Sequence, residues 1–453
     1  LLLQIAIPYY IFLAMIDKKV NELIKKEAKR QREGIELIPS ENFASADVRA
    51  PLSSVFVNKY SEGYPDKRYY GGNEFVDELE KLTQERAKKL FNVPYANVQP
   101  YSGSPANLAV YLATCNPGDV VVGQALTAGG HLTHGHKVSA TGIFYKTVQY
   151  GVKRNKKKDL FDYDEIEEIV KKNKPKLIWV GATAYPLIIN YKKFAAIADK
   201  YGAYLAADIA HVAGLVVGGA HPSPVNHVHI VTTTTHKTLR GPRGAMIMVT
   251  KKGLKKDPEL GEKINKAVFP GLQGGPHDNT TAAIAVSLLE ASTPAFKKYA
   301  HQIVKNSKKL AETLIKNKIE LIGGGSENHL ILIDLCNILG PGAGIFAEKA
   351  LDLSGMTMNK NTIPEEPFSP FYPSGLRLGT AAATSRGMKE KEMIFIGKTI
   401  AKVLNMLKAY KMPEEKEKRQ EYIALFKKDI VKNKELEKIR KEVKKVATKF
   451  KLP

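Results

Sequence analysis

From residue 74 to residue 250, short apolar runs alternate with amphipathic helical stretches, and that alternation leaves the chain few architectures. "DVVVG" (119–123), "KLIWVGA" (176–182), "AYLAADIAH" (203–211), "HIVTTTT" (229–235) and "AMIMVT" (245–250) have the length and composition of buried strands. Between and before them lie helical patterns. "EFVDELEKLTQERAKKLF" (74–91) repeats its apolar positions at Phe75, Val76, Leu79, Leu82, Ala87, Leu90 and Phe91. "DEIEEIVKKNKPK" reads as a charged helix, and "AAIADKYG" as a helix that stops at Gly202. Strands separated by helices predict βαβ units and an α/β fold with a mainly parallel sheet. Ligands of such sheets bind beyond the carboxyl ends of the strands. Asp208, His211 and Lys237 all fall at such ends.

The texture changes at "AVSLLEASTPAFKKYAHQIVKNSKKLAETLI", a long helical stretch with a break expected near Pro294. "NHLILIDLCN", a Gly/Pro-rich loop at 339–344 and a lysine-rich helical stretch at 411–453 follow. With 453 residues available, the chain is expected to form two bodies. The expected division is an N-terminal arm and helix over 1–45, a large domain over 46–292 and a smaller α+β domain over 293–453. The opening run, "LLLQIAIPYYIFLAMI", is shorter than the ~20 residues of a spanning helix and contains Gln4 and Pro8. It lacks a basic n-region and an A-x-A cleavage site. It is expected to be an arm packing on a partner subunit rather than a membrane anchor. Residues 17–33 read as a charged helix.

The net charge of +23 raises the question of nucleic acid. The lysines are interleaved with acids, and no recognition helix, aromatic RNP pair or finger spacing accompanies them. The surface is expected to attract anionic substrates rather than to bind nucleic acid specifically. Two cysteines, Cys115 and Cys336, show no CxxC or ligand spacing, so a zinc cluster or disulfide framework is not expected. That composition suits a reducing, cytoplasmic compartment.

The stretch "VTTTTHKTLRGPRG" (Val231–Gly244) places one lysine between a β-branched run and a Gly/Pro turn. Lys237 is thus expected just past a strand end, on a loop held by rigid structure, where reactive residues are common. A solvated surface lysine is the alternative. Asp208 follows the apolar "AYLAA" and is expected to be buried, where a carboxylate needs a partner. A protonated pyridine nitrogen would supply one, and His211 could lie over a flat ring. The alternative is a structural Asp–His pair. Ser102, Gly103 and Ser104 precede an apolar helix, whose N-terminus with small residues is an anion site. A lysine amine that can condense with an aldehyde, a buried acid and a phosphate cradle form one coherent site for pyridoxal 5′-phosphate. A metal reading of "HLTHGH" through His131, His134 and His136 lacks an acid or thiol at suitable spacing.

"IELIPSENF", "NKYSEGYPDKRYYGG", "QPYSGSPAN", "GGHLTHG", "DIAHVAGL", "TTTTHKTLRGPRG", "FPGLQGGP" and "SGLRLGT" occur in the order found in serine hydroxymethyltransferases, and the chain resembles that family over residues 20–410. The resemblance implies the aspartate aminotransferase-like, fold type I architecture, with a mainly parallel seven-stranded sheet in the large domain and a smaller α+β domain. It implies a homodimer, sometimes paired into a tetramer. It also implies transfer of a one-carbon unit between serine and tetrahydrofolate, giving glycine and methylenetetrahydrofolate.

By matching motifs, Lys237 resembles the lysine that carries the cofactor as a Schiff base, with His236 beside it. Asp208 resembles the partner of the pyridine nitrogen, and His131 and His211 the residues flanking the ring. Ser102, Gly103 and Ser104 would hold the phosphate, with Tyr60, Gly274 and Gly275 donated by the other subunit. Thr183, Thr234 and Arg243 also belong to the implied site. Arg377 and Ser40 would bind the amino-acid carboxylate. Glu62, Tyr69 and Tyr70 would reach across the dimer to the substrate hydroxyl and the folate. Leu126, Gly130, His131, Leu132, Asn361, Ser369, Pro370 and Phe371 resemble the pterin contacts.

The chain departs from the family at Thr127 and Ala128, at Leu187 where an arginine is frequent, and at Asn190 where an aspartate is usual. Two other functions stay open on sequence. One is a folate-independent aldolase of the same fold, against which the 58–72 loop and the "SPF" stretch argue. The other is a catalytically idle RNA-binding protein. Sequence also leaves open whether the co-substrate is tetrahydrofolate or a modified pterin.

Overall fold

The computed structural model describes residues 17–453, so the apolar opening run, and with it the expected packing arm, lies outside the described residues. Seven strands form the central sheet: β1 (Tyr95–Asn97), β2 (Val120–Gln124), β3 (Lys146–Tyr150), β4 (Leu177–Val180), β5 (Tyr204–Asp208), β6 (Ile230–Thr234) and β7 (Ala245–Val249). Their order across the sheet is β1-β7-β6-β5-β4-β2-β3. Pairs from β6 to β3 are parallel, and β7 alone runs against its neighbours β6 and β1. The sheet is mainly parallel, as the alternation implied. The reversal of β7 was not legible, because an apolar run carries no sign of its direction.

Strand β5 ends at Asp208, short of the 203–211 expected from sequence. Its successor, Ile209, makes the last ladder bond by donating its N–H to the Thr232 carbonyl, and a short helix, Ala213–Val217, begins soon after. Both faces of the sheet are covered. Val122, Ile178, Val180, Leu205, Ala207 and Val231 enter one apolar cluster, and Val121, Leu177, Trp179, Ala206 and Ile230 enter another. Each strand therefore buries alternate residues on opposite sides, which explains why these runs are apolar throughout.

The stretch around Pro294 is two helices, Asp278–Ala291 and Pro294–Lys316. Thr293 caps the second by accepting from Phe296 N–H, and Pro294 occupies a first-turn position where its missing N–H costs nothing. Beyond them a second sheet is antiparallel throughout, in the order Glu320–Leu321, Leu330–Asp334, Gly375–Gly379, Asn359–Asn361. Ile331, Ile333, Leu376 and Leu378 face its own core, whereas Leu332 enters the core of the large body. In the register, Arg377 lies opposite Leu332 on one side and Asn359 on the other. That alternation turns Arg377 toward the large body.

The helix Lys18–Glu33 is capped by Asp17 and packs on the helix Lys434–Ala447, and Ile35–Glu36 pairs with Met356–Thr357. Leu37 accepts the Gly379 N–H, so the 35–40 segment runs beside the end of the Arg377 strand. Among the described residues, no helix is long and apolar enough to cross a membrane.

Candidate active site

The carboxyl ends of β2, β4, β5 and β6 converge on one pocket, lined by Gly103, His131, His134, Thr183, Asp208, His211, Thr234 and Lys237 among others. Asp208 closes β5. Its Oδ2 accepts from Asn107 Nδ2 at 2.9 Å and pairs with His134 Nε2 at 3.2 Å, while Oδ1 accepts from Ala210 N–H at 3.0 Å. Burial alone would raise this carboxyl. The His134 hydrogen bond and the charge of Lys237 hold it below the usual range instead.

Asn107 comes from the helix Gly103–Thr114 and also accepts from Thr232 Oγ1 at 2.7 Å, which ties that helix to β6. Neither Asn107 nor the role of His134 was read from sequence. An asparagine inside an apolar helix was the available signal for the first. For the second it was the i, i+3 spacing from His131.

The histidine tautomers follow from the network. His134 Nδ1 accepts the His131 N–H, so its proton lies on Nε2 and points to Asp208. The His134 ring stacks on Trp179 with centroids 5.4 Å apart. His131 Nδ1 accepts the Thr133 N–H and lies 2.7 Å from Thr133 Oγ1, which itself accepts from Asn107. The other nitrogen of His131 therefore carries its proton, and burial lowers the ring to about 4. These contacts occupy both ring nitrogens of His134 and Nδ1 of His131, two of the three histidines of "HLTHGH". Among the described residues, no group of three His, Cys, Asp or Glu side chains could hold a metal ion.

Lys237 follows β6 after Thr235 and His236. Its loop is closed by three local bonds: Gly241 N–H to the Thr235 carbonyl, Thr235 N–H to the Gly244 carbonyl, and Thr235 Oγ1 to the Pro242 carbonyl. Thr238 Oγ1 donates to the His211 carbonyl, and Asn42 Nδ2 donates to the Lys237 carbonyl at 2.8 Å. The Lys237 backbone is thus fixed from three segments. Burial lowers the Lys237 amine from 10.5 to about 8, against the pull of Asp208 and with help from the charges of Arg377 and Arg243. Arg243 itself is exposed. His236 is lowered to about 3 by burial and by Arg243. His211 is buried and faces His329 of the second sheet at 3.3 Å, and burial holds it well below its ordinary value.

Gly103 opens its helix, and no side chain caps that end. Pro105 has no N–H, so the first turn offers those of Gly103 and Ser104. A Cβ on Gly103 would meet the Thr234 methyl at 2.9 Å. Thr234 Oγ1 beside it is buried with no partner. Gly181, after β4, has φ 139° and lies where a Cβ would stand 2.2 Å from the Asp208 carbonyl, so only glycine lets β4 and β5 approach here.

Thr183 donates to the Gly129 carbonyl from both N–H and Oγ1, and its own carbonyl accepts from Arg377 Nη1 at 2.6 Å. Arg377 Nε donates to Asn359 Oδ1 at 3.1 Å. Burial lowers the guanidinium to about 10, and among the described residues it has no carboxylate partner. Ser40 is half-buried beside this strand, after Pro39, which a Cβ on Gly379 would touch.

The residues proposed as pterin contacts fall in three segments, two of which meet. Leu126, Gly130 and Leu132 line the turn after β2, and Thr362 Oγ1, next to Asn361, donates to the Thr127 carbonyl. Ser369, Pro370 and Phe371 form an exposed turn, with Phe371 82% exposed.

Tyr60, Glu62, Tyr69, Tyr70, Gly274 and Gly275 gather in a second group, joined to Tyr101, the residue before Ser102, whose hydroxyl donates to the Gly275 carbonyl at 2.6 Å. Tyr60 OH donates to Glu62 Oε1 at 3.3 Å, the Tyr60 and Tyr70 rings meet edge-on at 5.2 Å, and Tyr69 packs on Phe269. Gly274 lies against Glu62 and Gly275 against Tyr60. Among the described residues, no hydrogen bond or ring contact of these side chains reaches the Lys237 pocket. Tyr60, Tyr69 and Tyr70 are 57%, 74% and 51% exposed. The loop is nonetheless rigidly held. Arg68 pairs with Asp77 and Glu80 and donates to the carbonyls of Ser61 and Gly63.

The departures from the family pattern are absorbed locally. Asn190 accepts from Lys193 N–H as the N-cap of Tyr191–Lys200, a position asparagine and aspartate fill equally well. Leu187 is buried against Gly323, and its carbonyl accepts from Asn328. Ala128 is buried, with its carbonyl accepting from Gln124, while Thr127 presents its carbonyl to Thr362.

Residues 13–400 match the family described as serine hydroxymethyltransferase. Over 381 residues the chain is 54% identical to the serine hydroxymethyltransferase of Acidothermus cellulolyticus, an alignment that covers 84% of this chain and 87% of that relative.

Proposed function

This chain belongs to the serine hydroxymethyltransferase family, and on that premise we propose that it moves the hydroxymethyl carbon of serine to tetrahydrofolate, or to a modified pterin, giving glycine and 5,10-methylenetetrahydrofolate. The observation that carries the reading is the meeting of three groups where the carboxyl ends of the central strands face the second sheet. They are an amine lowered to about 8, a buried ionised carboxylate and a guanidinium without an acid partner.

The pocket fits pyridoxal 5′-phosphate. The free N–H groups of Gly103 and Ser104, with the unpartnered Thr234 hydroxyl, suit its phosphate. Asp208 suits its ring nitrogen. When bound, this cofactor supplies an aldehyde that condenses with amines and a pyridinium ring that withdraws electrons from the bond being cleaved.

The protein's part follows from its geometry. Lys237, neutral in a large fraction of molecules near pH 8, would be the amine that holds the cofactor through its aldehyde. Asp208, kept ionised by His134 and Asn107, would hold the cofactor at its ring nitrogen and favour the protonated form there. His131 and His211, which line the pocket, would flank the ring. Arg377, assisted by Ser40, grips the serine carboxylate through its remaining guanidinium N–H groups and orients the Cα–Cβ bond. Glu62 takes or returns a proton at the serine hydroxyl or the folate nitrogen. Leu126, Gly130, Leu132, Asn361 and the 369–371 turn would receive the pterin.

Tyr60 and Tyr70 are exposed, and among the described residues neither they nor Glu62 makes a side-chain hydrogen bond into the chain's own Lys237 pocket, so a second copy is proposed to supply them, making the enzyme a homodimer or a pair of dimers. The two free cysteines support placing it in the cytoplasm.

The testing experiment measures serine cleavage by the purified enzyme with tetrahydrofolate and with a modified pterin. Pterin-dependent formation of glycine supports the reading. Pterin-independent cleavage alone supports an aldolase instead.

A further inference from the structure

We propose that Asn359 is a positioning residue that holds the Arg377 guanidinium in place without neutralising it. The inference rests on the reading of Arg377 as the partner of the amino-acid carboxylate. Asn359 and Arg377 face each other across two antiparallel strands, and a direct cross-strand pair puts both side chains on one face. Asn359 Oδ1 accepts from Arg377 Nε at 3.1 Å. The amide cannot turn over without cost, because its Nδ2 donates to the Lys360 carbonyl at 2.9 Å. Lys360 sends its own charge to Glu348 at 2.6 Å, away from this contact.

On its other side Arg377 Nη1 donates to the Thr183 carbonyl. The guanidinium is therefore braced from both lobes, by two acceptors that are both neutral. This choice of acceptors matters. A carboxylate in either place would brace the group equally well and would also pair with it bidentately, filling the clamp with an internal anion. A neutral amide fixes direction and leaves the positive charge for the substrate. Burial without a counter-ion then makes an incoming carboxylate the missing partner.

The test compares Asn359→Asp, Asn359→Ala and Arg377→Lys in the holoenzyme. Steady-state kinetics give KM and kcat for serine, and calorimetric titration gives affinities for glycine and for glycinamide, which lacks the carboxylate. Asn359→Asp is nearly isosteric, so packing is preserved and only charge is added. It should raise the serine KM and weaken glycine about 10- to 100-fold, the equivalent of one charged hydrogen bond. The kcat at saturation should move far less, as expected for lost uniform binding. Glycinamide affinity should stay unchanged. Asn359→Ala should weaken glycine selectively and by a smaller factor.

Unchanged glycine affinity in Asn359→Asp, or equal weakening of glycine and glycinamide, overturns the proposal. If Asn359→Asp does not fold, the selectivity of Asn359→Ala for glycine over glycinamide decides in the same way. Arg377→Lys separates the premise from the inference. If it leaves glycine affinity intact, the carboxylate reading of Arg377 fails. If it weakens glycine while Asn359→Asp does not, only the role of Asn359 fails.

Discussion

His134 donates its Nε2 proton to Asp208 Oδ2 across 3.2 Å, and it can do so only because its Nδ1 already accepts the His131 N–H. The carboxylate is thus fully engaged on its protein side. Asn107 and His134 meet Oδ2, and Ala210 meets Oδ1.

An amide cannot replace it. In Asp208→Asn the NH2 group must face either two donors or the Ala210 N–H, which leaves a buried donor unmatched. The apo protein should lose about 1–3 kcal/mol, read from urea unfolding. Cofactor retention on dialysis should fall further, because the ring nitrogen loses its ionised partner. Full retention and full turnover would make Asp208 a structural residue only.

The lowered Lys237 amine sets a pH dependence. The folded protein binds this proton more weakly than the unfolded chain, so the neutral nucleophile is present above pH about 8 rather than above 10.5. The rate of cofactor uptake by apoenzyme should rise with pH, pass half its maximum near 8 and level off roughly a unit higher. A rate still climbing past pH 9.5 would mean that burial does not act on Lys237 as described. By the same sign, this group's contribution to the stability of the apoenzyme increases from pH about 8 up to 10.5.

The loop that carries Glu62 hangs on a buried pair. The Arg68 and Glu80 side chains are only 4% and 3% exposed and lie 2.7 Å apart. Burial raises the Glu80 carboxyl, and Arg68 opposes that rise. Arg68→Ala strands this acid and should cost about 3–5 kcal/mol. Adding Glu80→Gln to the Arg68→Ala variant should recover part of the loss. Thermal or urea unfolding of the single and double variants checks both, and strictly additive losses would contradict the coupling.

Much of the site was legible because strands and turns announce themselves. The Thr run and Gly/Pro turn placed Lys237 after β6, and "AYLAAD" placed Asp208 at the end of β5. The helix Glu74–Phe91 has the bounds its periodicity gives, and Thr293–Pro294 marks a helix start. Strands β1 and β3 escaped notice for physical reasons. "YAN" is too short to show a period, and "KTVQY" is an edge strand whose side chains are mostly only partly covered. The second ring of contacts was also out of reach. Asn107 meets Asp208 across 101 residues, and Asn42 meets Lys237 across 195, separations at which one sequence carries no signal.

The central claim is that each site joins the Lys237 pocket of one copy to the Glu62 loop of another, and mixing two inactive variants tests it most directly. Lys237→Ala removes the amine. Glu62→Gln removes a proton carrier and should cut folate-dependent serine cleavage by about 10²–10⁴-fold. In a mixed dimer one site carries both changes and the other carries neither. Unfolding and refolding the two variants together should therefore restore about one quarter of wild-type activity, since a two-fold dimer assembled at random is mixed about half the time and has one intact site. Mixed dimers that form, as shown by differently tagged subunits, yet stay inactive would contradict the account and return Glu62 to its own chain.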